Sequence, residues 1–358
     1  MTVAAPVRLG LIEGYYGRPW SWAARLETAA FLAGHGYGFF LYAPKADAYL
    51  RRRWREPHPP AEAAQIRGFA AACAGLGVEF GVGLSPFEIY RDFNAEARAA
   101  LADKLAWLDD LGVRHLAILF DDMRGDLPGL AATQADILHW IGSRTRASRL
   151  IVCPTYYSDD PALDLFFGNR PPLYLEDFGA ALDPSIDVFW TGPEVCSLEL
   201  KPGHLERIAG QLRRTPLLWD NYPVNDGSRM SPFLHLRAFT GRSAAIAGHI
   251  AGHAVNPALQ PVLSRIPALT LVESYARGEA YDYGEAFVRA AGAVLGEDLA
   301  EQVRRRLSAL QDVGLERLGE GAARLRMRFA DVDHPGAREI VAWLDGAWAI
   351  TREELEAS

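Results

Sequence analysis

The sequence is poor in cysteine and has no long apolar run. Its three cysteines, Cys73, Cys153 and Cys196, lie far apart along 358 residues and cannot all pair, so we interpret them as reduced core residues of a protein in a reducing compartment. No apolar stretch reaches the ~18 residues of a membrane span, and the amino terminus, MTVAAPVRLG, lacks the basic and apolar regions of a signal peptide. These absences predict a cytoplasmic protein without a membrane partner.

The chain also lacks basic runs and the common cofactor and metal motifs. It has 37 Lys and Arg against 45 Asp and Glu, and its basic clusters are only three residues long, so nucleic acid is a poor candidate partner. It contains no GxGxxG or Walker A pattern, and no HExxH surrounds His249 and His253, which we interpret as core or edge histidines. The sequence therefore predicts no cofactor and no metal.

An alternation of strand and helix patterns dominates what is present. A hydrophobic content of 49% with 23% charged residues describes a soluble chain with a large core. Apolar runs of strand length alternate eight times with helical patterns, which predicts a (β/α)8 TIM barrel of parallel strands. The predicted strands cover residues 9 to 14, 37 to 45, 78 to 86, 115 to 122, 149 to 157, 186 to 194, 216 to 221 and 246 to 256.

The strand pattern stops after about residue 275. Residues 284 to 318 and 336 to 354 have helical periodicity, with an apolar stripe that includes Phe287 and Ala291. We therefore expect a catalytic barrel at residues 1 to 275 and a small C-terminal helical domain at residues 276 to 358. Its stripes need a partner surface, which is either the barrel or a second subunit.

The sharpest chemical feature is a pair of adjacent carboxylates, Asp121 and Asp122, at the end of the fourth predicted strand. Catalytic groups of such barrels collect at the carboxyl ends of the strands. Neighbouring carboxylates couple, so that one ionises while the pKa of the other rises, as an acid and a base at one centre require. From the residues alone, a metal site and a helix cap or ion pair remain open alternatives.

Aromatic residues and one lysine also stand at predicted strand ends. Flat apolar faces with polar edges suit a sugar ring, although such residues can also simply fill the barrel mouth, and we expect about half of them in the site. Lys45 permits a Schiff-base alternative, a hydrogen-bonding role or a plain salt bridge. The aromatic residues are Tyr15, Tyr16, Tyr157, Trp190, Trp219 and Tyr222.

Seven ordered segments resemble the motifs of glycoside hydrolase family 84, the protein O-GlcNAcases and related bacterial β-N-acetylglucosaminidases. The resemblance spans roughly residues 8 to 275. It implies a (β/α)8 enzyme that removes terminal β-linked N-acetylglucosamine (GlcNAc) from a glycan or glycoprotein with retention, using the acetamido oxygen of the substrate as nucleophile. The segments are EGYYGRPW (13 to 20), LYAPKAD (41 to 47), LFDDM (119 to 123), CPTYY (153 to 157), WTGPEV (190 to 195), WDNYPVND (219 to 226) and VNP (255 to 257).

The resemblance also implies roles for individual residues. Asp121 is expected to orient and deprotonate the acetamido N–H, and Asp122 to act as general acid and then base, with its pKa raised by burial and by the charge of Asp121. Tyr157 is expected to hydrogen-bond the acetamido oxygen. Sugar contacts are implied for Gly14 through its carbonyl, Lys45, Asn221, Asp226 and Asn256, and pocket walls for Thr191 and Trp219.

Three departures and two alternatives accompany the resemblance. Tyr156 stands where the animal enzymes are expected to have glutamate, Phe87 stands where glycine often follows the SP dipeptide, and the loop after LFDDM is short. These departures put the aglycone preference in doubt more than the chemistry. The alternatives are a hexosaminidase for free glycans, hyaluronan or cell-wall fragments, and a catalytically silent glycan-binding barrel. A homodimer through the C-terminal helices is a further expectation.

Overall fold

Eight parallel strands close into a barrel in the computed structural model, which describes residues 7–350. Each strand pairs with the next in sequence, and the last pairs with the first. The predicted TIM-barrel fold is therefore confirmed. The strands are β1 (Leu9–Glu13), β2 (Tyr37–Tyr42), β3 (Glu79–Leu84), β4 (His115–Leu119), β5 (Arg149–Cys153), β6 (Asp187–Trp190), β7 (Leu217–Asp220) and β8 (Gly252–Val255).

Thirteen α-helices surround or follow these strands within the described residues. Ser21 and Asn94 cap two of them as predicted, accepting hydrogen bonds from the backbone N–H of Ala24 and Ala97 at 3.2 and 2.9 Å. The helices are α1 (Trp22–Ala33), α2 (Pro60–Gly75), α3 (Ala95–Asp110), α4 (Leu130–Gly142), α5 (Ala162–Phe167), α6 (Tyr174–Ala181), α7 (Pro202–Leu212), α8 (Gly227–Met230), α9 (Arg265–Arg277), α10 (Tyr283–Leu295), α11 (Glu297–Arg304), α12 (Glu320–Ala330) and α13 (Pro335–Leu344).

Every strand is shorter than predicted, and the difference is largest for the eighth. Residues Ala244–His249 form a 3-10 helix, which begins where the Ser243 hydroxyl accepts from the backbone N–H of Ala245 at 3.2 Å. This local hydrogen bond competes with strand formation, so the ladder starts only at Gly252. His249 is consequently partly exposed outside the barrel, whereas His253 is fully buried, as expected for a core histidine.

The long helix predicted over residues 284 to 318 is broken. Gly296, with φ 75°, separates α10 from α11, and a π-helical turn follows at Ala309–Val313. A positive φ is readily adopted by glycine and cannot continue a right-handed helix. The second predicted helix, 336 to 354, is shorter than predicted, because α13 ends at Leu344 and residues 345 to 350 are not helical. Its positions 351 to 354 lie outside the described residues.

The apolar faces of the C-terminal helices pack within the chain. They form a second buried cluster with the segment 234 to 238 and with the region at the start of α9, so the predicted stripes contact the barrel half of the sequence. The domain boundary at residue 275 stays a prediction. The cluster includes Leu234, Leu236, Val262, Leu263, Ile266, Phe287, Ala290, Ala291, Leu295, Val303, Leu310, Ile340 and Trp343.

The cysteines differ from one another in their surroundings. Cys73 and Cys153 are buried, as predicted, but Cys196 is exposed, so its assignment to the core is wrong. Cys196 lies in the loop after β6, where the polypeptide runs across the barrel mouth. Separately, no helix within residues 7–350 is long and apolar enough to cross a membrane.

One buried carboxylate connects α13 to the loop after β8. The Glu339 oxygens accept from the backbone N–H groups of Val262 and Leu263, both at 2.9 Å. Burial raises the pKa of Glu339 to about 7, although these two hydrogen bonds oppose the shift. Glu339 therefore satisfies two backbone donors that have no intrahelical partner just before α9.

Replacing Glu339 by alanine leaves both backbone donors buried without an acceptor. We expect Glu339→Ala to lower the free energy of unfolding by about 1–3 kcal/mol in urea titrations. Because the folded-state pKa is raised, the stability contributed by Glu339 falls as pH rises from 4.5 to about 7, so the loss should be larger at pH 5 than at pH 8. Glu320→Ala, at a side chain 96% exposed, is the control and should change stability by less than about 0.5 kcal/mol. Equal effects of the two substitutions would contradict this role.

Candidate active site

A cavity of about 200 Å³ opens at the carboxyl ends of the strands. All ten residues that the sequence places in the site line this one cavity, although they come from the ends of seven strands. They are Gly14, Lys45, Asp121, Asp122, Tyr157, Thr191, Trp219, Asn221, Asp226 and Asn256. Six further residues complete the lining: Tyr16, Cys153, Val195, Cys196, Val224 and Met230.

Of the six aromatic residues at predicted strand ends, three line the cavity and three are used elsewhere. Tyr16, Tyr157 and Trp219 face it. Tyr15 and Trp190 are fully buried and donate to Glu13 Oε1 at 2.9 Å and to His204 Nε2 at 3.0 Å, respectively. The Tyr222 hydroxyl donates to the carbonyl of Arg237 at 2.7 Å.

Asp121, Asp122 and Lys45 form the centre of the site. The Lys45 ammonium lies 2.5 Å from Asp121 Oδ2 and 3.1 Å from Asp122 Oδ2. The Lys45 side chain is only 3% exposed, and burial of a cation at this depth is tolerated because both carboxylates face it. Lys45 is therefore an ion-pairing residue that contacts both carboxyl groups.

The pKa values of the two carboxyl groups are displaced in opposite directions. Burial raises the pKa of Asp121, and the charge of Asp122 adds to this effect, while Lys45 only partly offsets it. Burial also acts to raise the pKa of Asp122, but Lys45, the Tyr16 hydroxyl and Arg51 outweigh it and leave that pKa below its usual range. In the unliganded site the proton therefore favours Asp121. The sequence analysis expected the opposite, a raised pKa at Asp122.

The backbone at Asp122 is unusual. Its φ of 59° lies in the left-handed region that non-glycine residues rarely adopt. Tyr16 donates a 2.6 Å hydrogen bond to Asp122 Oδ2, which fixes the carboxylate on this turn. Conformational strain of this kind persists where surrounding contacts over-determine it, and such positions cluster at functional sites.

A buried ion pair holds the loop after β1. Arg25 donates to both carboxylate oxygens of Glu13, at 2.6 and 2.7 Å, and Tyr15 donates to the same carboxylate. The loop then passes close to Trp219, because a Cβ added to Gly14 would lie 2.3 Å from its ring. Glycine is thus needed at position 14 for the close approach of these two walls of the cavity.

Side-chain amides connect four of the loops around the mouth. The backbone N–H of Gly14 donates to Asn256 Oδ1 at 3.2 Å, the Asn256 amide donates to Asn221 Oδ1 at 2.9 Å, and the Asn221 amide donates to the carbonyl of Val195 at 2.9 Å. The Trp219 indole N–H also donates to Asn221 Oδ1, at 3.0 Å. Each amide NH2 group has two donors, so one N–H of each asparagine remains for a ligand.

Asp226 faces the site from the loop after β7. Its Oδ2 accepts from the backbone N–H of Tyr16 at 2.7 Å. Burial raises the pKa of Asp226 to about 6, and the hydrogen bond from Tyr16 opposes this shift. Asp226 is thus a third carboxyl group in the pocket, and burial brings its change of charge closer to neutral pH.

The two residues that depart from the family motifs lie outside the lining of the cavity. Tyr156 is fully buried and donates to the carbonyl of Gly168 at 2.6 Å. Phe87 lies beneath the guanidinium groups of Arg51 and Arg52, at 5.8 and 5.1 Å from its ring centre. Tyr156 is therefore a packing residue of the loop after β5, whereas Phe87 lies beside Arg51, which contacts the lining residue Tyr16.

Two of the six additional lining residues show where sequence reasoning fell short. Tyr16 was named only as one of six aromatic residues that suit a sugar ring and was given no contact with Asp122, although EGYYGRPW places it two residues after Gly14, where the strand-end rule applies. Cys196 was assigned to the core, and its position directly after the WTGPEV segment was the signal against that assignment.

Comparisons with known proteins identify the family of the chain. The family model described as beta-N-acetylglucosaminidase matches residues 9–310. A solved mutant of the Thermobaculum terrenum O-GlcNAc hydrolase is 29% identical and superimposes with a TM-score of 0.78 over 94% of this chain and 80% of its own.

Two mammalian proteins are also similar. The protein O-GlcNAcases of Rattus norvegicus and Mus musculus are each 31% identical, over 249 and 246 residues, or 66% of this chain. The aligned region is 26% of the length of each of them. Because the family model extends over most of the sequence, the chain belongs to the β-N-acetylglucosaminidases of glycoside hydrolase family 84.

Proposed function

We propose that the chain is a retaining β-N-acetylglucosaminidase of the O-GlcNAcase type, which removes terminal β-linked GlcNAc through an oxazoline intermediate. The observation that supports it best is at Asp121, which lines the cavity and whose Oδ1 is buried without a hydrogen-bond partner in the described part of the chain. A buried acceptor without a donor is costly unless a ligand supplies one. The N–H of a 2-acetamido group is a donor of the required kind.

In the first step, the acetamido oxygen attacks the anomeric carbon as the bond to the aglycone oxygen breaks. Asp122 gives its proton to the departing oxygen, and Asp121 accepts the N–H as positive charge develops on the acetamido nitrogen. In the second step, the ionised Asp122 takes a proton from the water that attacks the anomeric carbon, and Asp121 returns its proton to the nitrogen as the oxazoline opens. Two inversions at one carbon give overall retention, and the acetamido group replaces the protein nucleophile of the usual scheme.

The proton distribution of the empty site fits this mechanism once substrate is considered. A hydrogen bond from the acetamido N–H to Asp121 favours the ionised form of that carboxyl group and so lowers its pKa. Since the two groups are coupled, charge on Asp121 raises the pKa of Asp122. Substrate binding therefore moves the proton to Asp122, where the departing oxygen needs it.

Other residues of the pocket have supporting roles in this proposal. Tyr157 is assigned to the acetamido oxygen, Thr191 and Trp219 to the pocket walls, and Asp226 to sugar hydroxyls. Further sugar contacts are assigned to Gly14, Lys45, Asn221 and Asn256. A Schiff base at Lys45 is disfavoured, because Asp121 and Asp122 raise the pKa of its ammonium against the effect of burial, whereas a nucleophilic lysine must be neutral.

The aglycone and the organisation of the chain belong to the same proposal. A glycoprotein aglycone is favoured by the similarity to protein O-GlcNAcases, and a hexosaminidase for free glycans is the second candidate.

We also propose that a domain boundary lies at residue 275, that the chain forms a homodimer and that it is located in the cytoplasm. The dimer is supported by α10, which exposes Tyr283 and Val288 beside a cavity of about 540 Å³, and the location by the buried free thiols of Cys73 and Cys153.

The acetamido group tests the proposed function directly. We expect hydrolysis of an aryl β-N-acetylglucosaminide and none of the matching glucoside, which has no internal nucleophile. Because fluorine withdraws electrons from the carbonyl oxygen, kcat/KM should fall steeply along the acetyl, fluoroacetyl, difluoroacetyl and trifluoroacetyl series. A rate independent of fluorination would rule out participation of the acetamido group.

The two carboxylates should respond differently to the leaving group. Asp122→Ala should slow substrates with poor leaving groups by roughly 10²–10⁴-fold, since they need the proton, while activated aryl substrates retain their first step. Asp121→Ala should slow good and poor leaving groups alike, because oxazoline formation always needs its charge. The measurement is kcat/KM across aryl glycosides of graded phenol pKa. The same slope for both variants would overturn the assignment.

Asp226 should give ligand binding a titration close to pH 6. An ionised carboxylate accepts stronger hydrogen bonds from hydroxyl groups than a protonated one, so the wild type should bind GlcNAc more weakly as pH falls through about 6. Asp226→Asn should bind more weakly at pH 7.5 and lose this change near pH 6 in calorimetric titrations. If the variant kept the same midpoint, another group would be responsible.

The same variant should be more stable than the wild type at neutral pH. The folded-state pKa of Asp226 lies above 3.8, so the native state binds more protons than the unfolded state between pH 3.8 and about 6. Stability of the wild type is therefore lost as pH rises through this window, and an asparagine avoids that loss. A lower Tm for Asp226→Asn at pH 7.5 would contradict the effect of burial.

A further inference from the structure

Tyr16 joins the two parts of the pocket that the proposed mechanism uses separately. Its hydroxyl donates to Asp122 Oδ2 at 2.6 Å, and its backbone N–H donates to Asp226 Oδ2 at 2.7 Å. The tyrosine lines the cavity and follows Gly14 by two positions. One residue thus contacts the carboxyl group assigned to proton transfer and the carboxyl group assigned to sugar hydroxyls.

The direction of the hydroxyl proton follows from its surroundings. An Arg51 guanidinium N–H lies 3.4 Å from the Tyr16 oxygen and can only donate to it. The hydroxyl oxygen accepts from Arg51, and its own hydrogen is directed to Asp122. Burial and the charge of Asp122 raise the pKa of Tyr16 far above neutrality, so the phenol stays a donor throughout the working pH range.

The contacts of Asp122 are also unequally divided between its two oxygens. Tyr16 and Lys45 both bind Oδ2, at 2.6 and 3.1 Å. The side chain of Asp122 is 23% exposed, whereas that of Asp121 is 7% exposed. This division holds Oδ2 against the protein and leaves Oδ1 for the departing oxygen and the attacking water.

We propose that Tyr16 is a positioning residue for the general acid and base, which orients Asp122 through Oδ2 and favours its ionised form in the second step. This inference rests on the proposed function. The hydrogen bond from Tyr16 stabilises the ionised form of Asp122, which activates water in the second step. The same hydrogen bond opposes the protonated form of Asp122, which the first step needs. Asp122 thereby alternates between the two forms, because substrate on Asp121 favours its protonation and Tyr16 favours its return to the carboxylate.

The test compares Tyr16→Phe with the wild type by two readouts. Without the hydroxyl, the carboxyl carbon of Asp122 should titrate higher by roughly one to two pH units in carbon-13 NMR, since one unit corresponds to 1.36 kcal/mol and a hydrogen bond to a charged group contributes more than that. The basic limb of kcat/KM against pH should move in the same direction. For an activated aryl substrate, kcat should fall by about 10-fold with little change in kcat/KM, because the second step limits it.

Two controls separate this role from packing. Tyr42→Phe removes a similar hydrogen bond outside the cavity, from the Tyr42 hydroxyl to Asp47 Oδ2 at 2.9 Å, and should leave the titration of Asp122 unchanged. Replacing Tyr16 by 3-fluorotyrosine keeps the ring and gives a more acidic donor, so Asp122 should titrate lower. Opposite shifts for the phenylalanine and fluorotyrosine variants support the proposal even if Tyr16→Phe is less stable.

The outcomes distinguish the inference from the proposed function. An unchanged titration of Asp122 in Tyr16→Phe, or equal losses in kcat and kcat/KM for good and poor leaving groups, overturns the role of Tyr16. Absence of hydrolysis by the wild type overturns the function instead. In that case the NMR titration still decides whether the Tyr16 hydroxyl controls the charge of Asp122.

Discussion

One buried ammonium group lies between the two carboxyl groups at the centre of the site. Lys45 contacts both Asp121, which is buried, and Asp122, whose side chain is 23% exposed. Because the two negative charges repel each other and burial disfavours the charged form, a proton held by one of the carboxyl groups lowers the cost of this arrangement. The pair therefore titrates as a unit, and its proton can move to whichever carboxyl group the surroundings favour. Acid and base chemistry at one centre follows from two carboxyl groups that share one lysine.

The barrel brings Lys45 and the two aspartates together because the strand between them has a glycine at this level. Lys45 follows β2 and the two aspartates follow β4, which are separated by β3. A Cβ on Gly83 of β3 would lie 2.5 Å from Cβ of Ala43 and 2.8 Å from Leu119 Cδ1. The ends of β2 and β4 therefore approach each other across a strand that carries no side chain at this level. A larger residue there would push the ammonium and the carboxylates apart.

Two buried carboxylates outside the cavity lining, Asp220 and Glu13, are each paired with an arginine. Asp220 is bound by both Arg242 Nε and Nη2 at 2.7 Å, and His253 Nε2 lies 2.9 Å from its Oδ2. Although burial opposes it, Arg242 holds the pKa of Asp220 well below its usual range. Glu13 has a similar two-point contact with Arg25. Asp220 and Glu13 are each paired with one arginine and are structural, whereas Asp121 and Asp122 share Lys45, so their protonation can change.

This difference explains how far sequence reasoning could reach. The eightfold alternation of strand and helix patterns was enough to predict the barrel. The strand-end rule and the ordered motifs then selected ten residues that the fold brings to one cavity, because all of these signals depend on local patterns. They could not predict that Ala244–His249 forms a 3-10 helix, that Gly296 breaks the C-terminal helix or that Cys196 is exposed, since these depend on local capping and on loop paths. The sequence could not show which of Asp121 and Asp122 holds the proton, because that depends on residues distant along the chain. It is set by Tyr16, Lys45 and Arg51, which lie at least 70 positions away in the sequence and act through distances of a few ångström. A motif can therefore name the acid and the base, but only the folded chain determines which of them holds the proton before substrate binds.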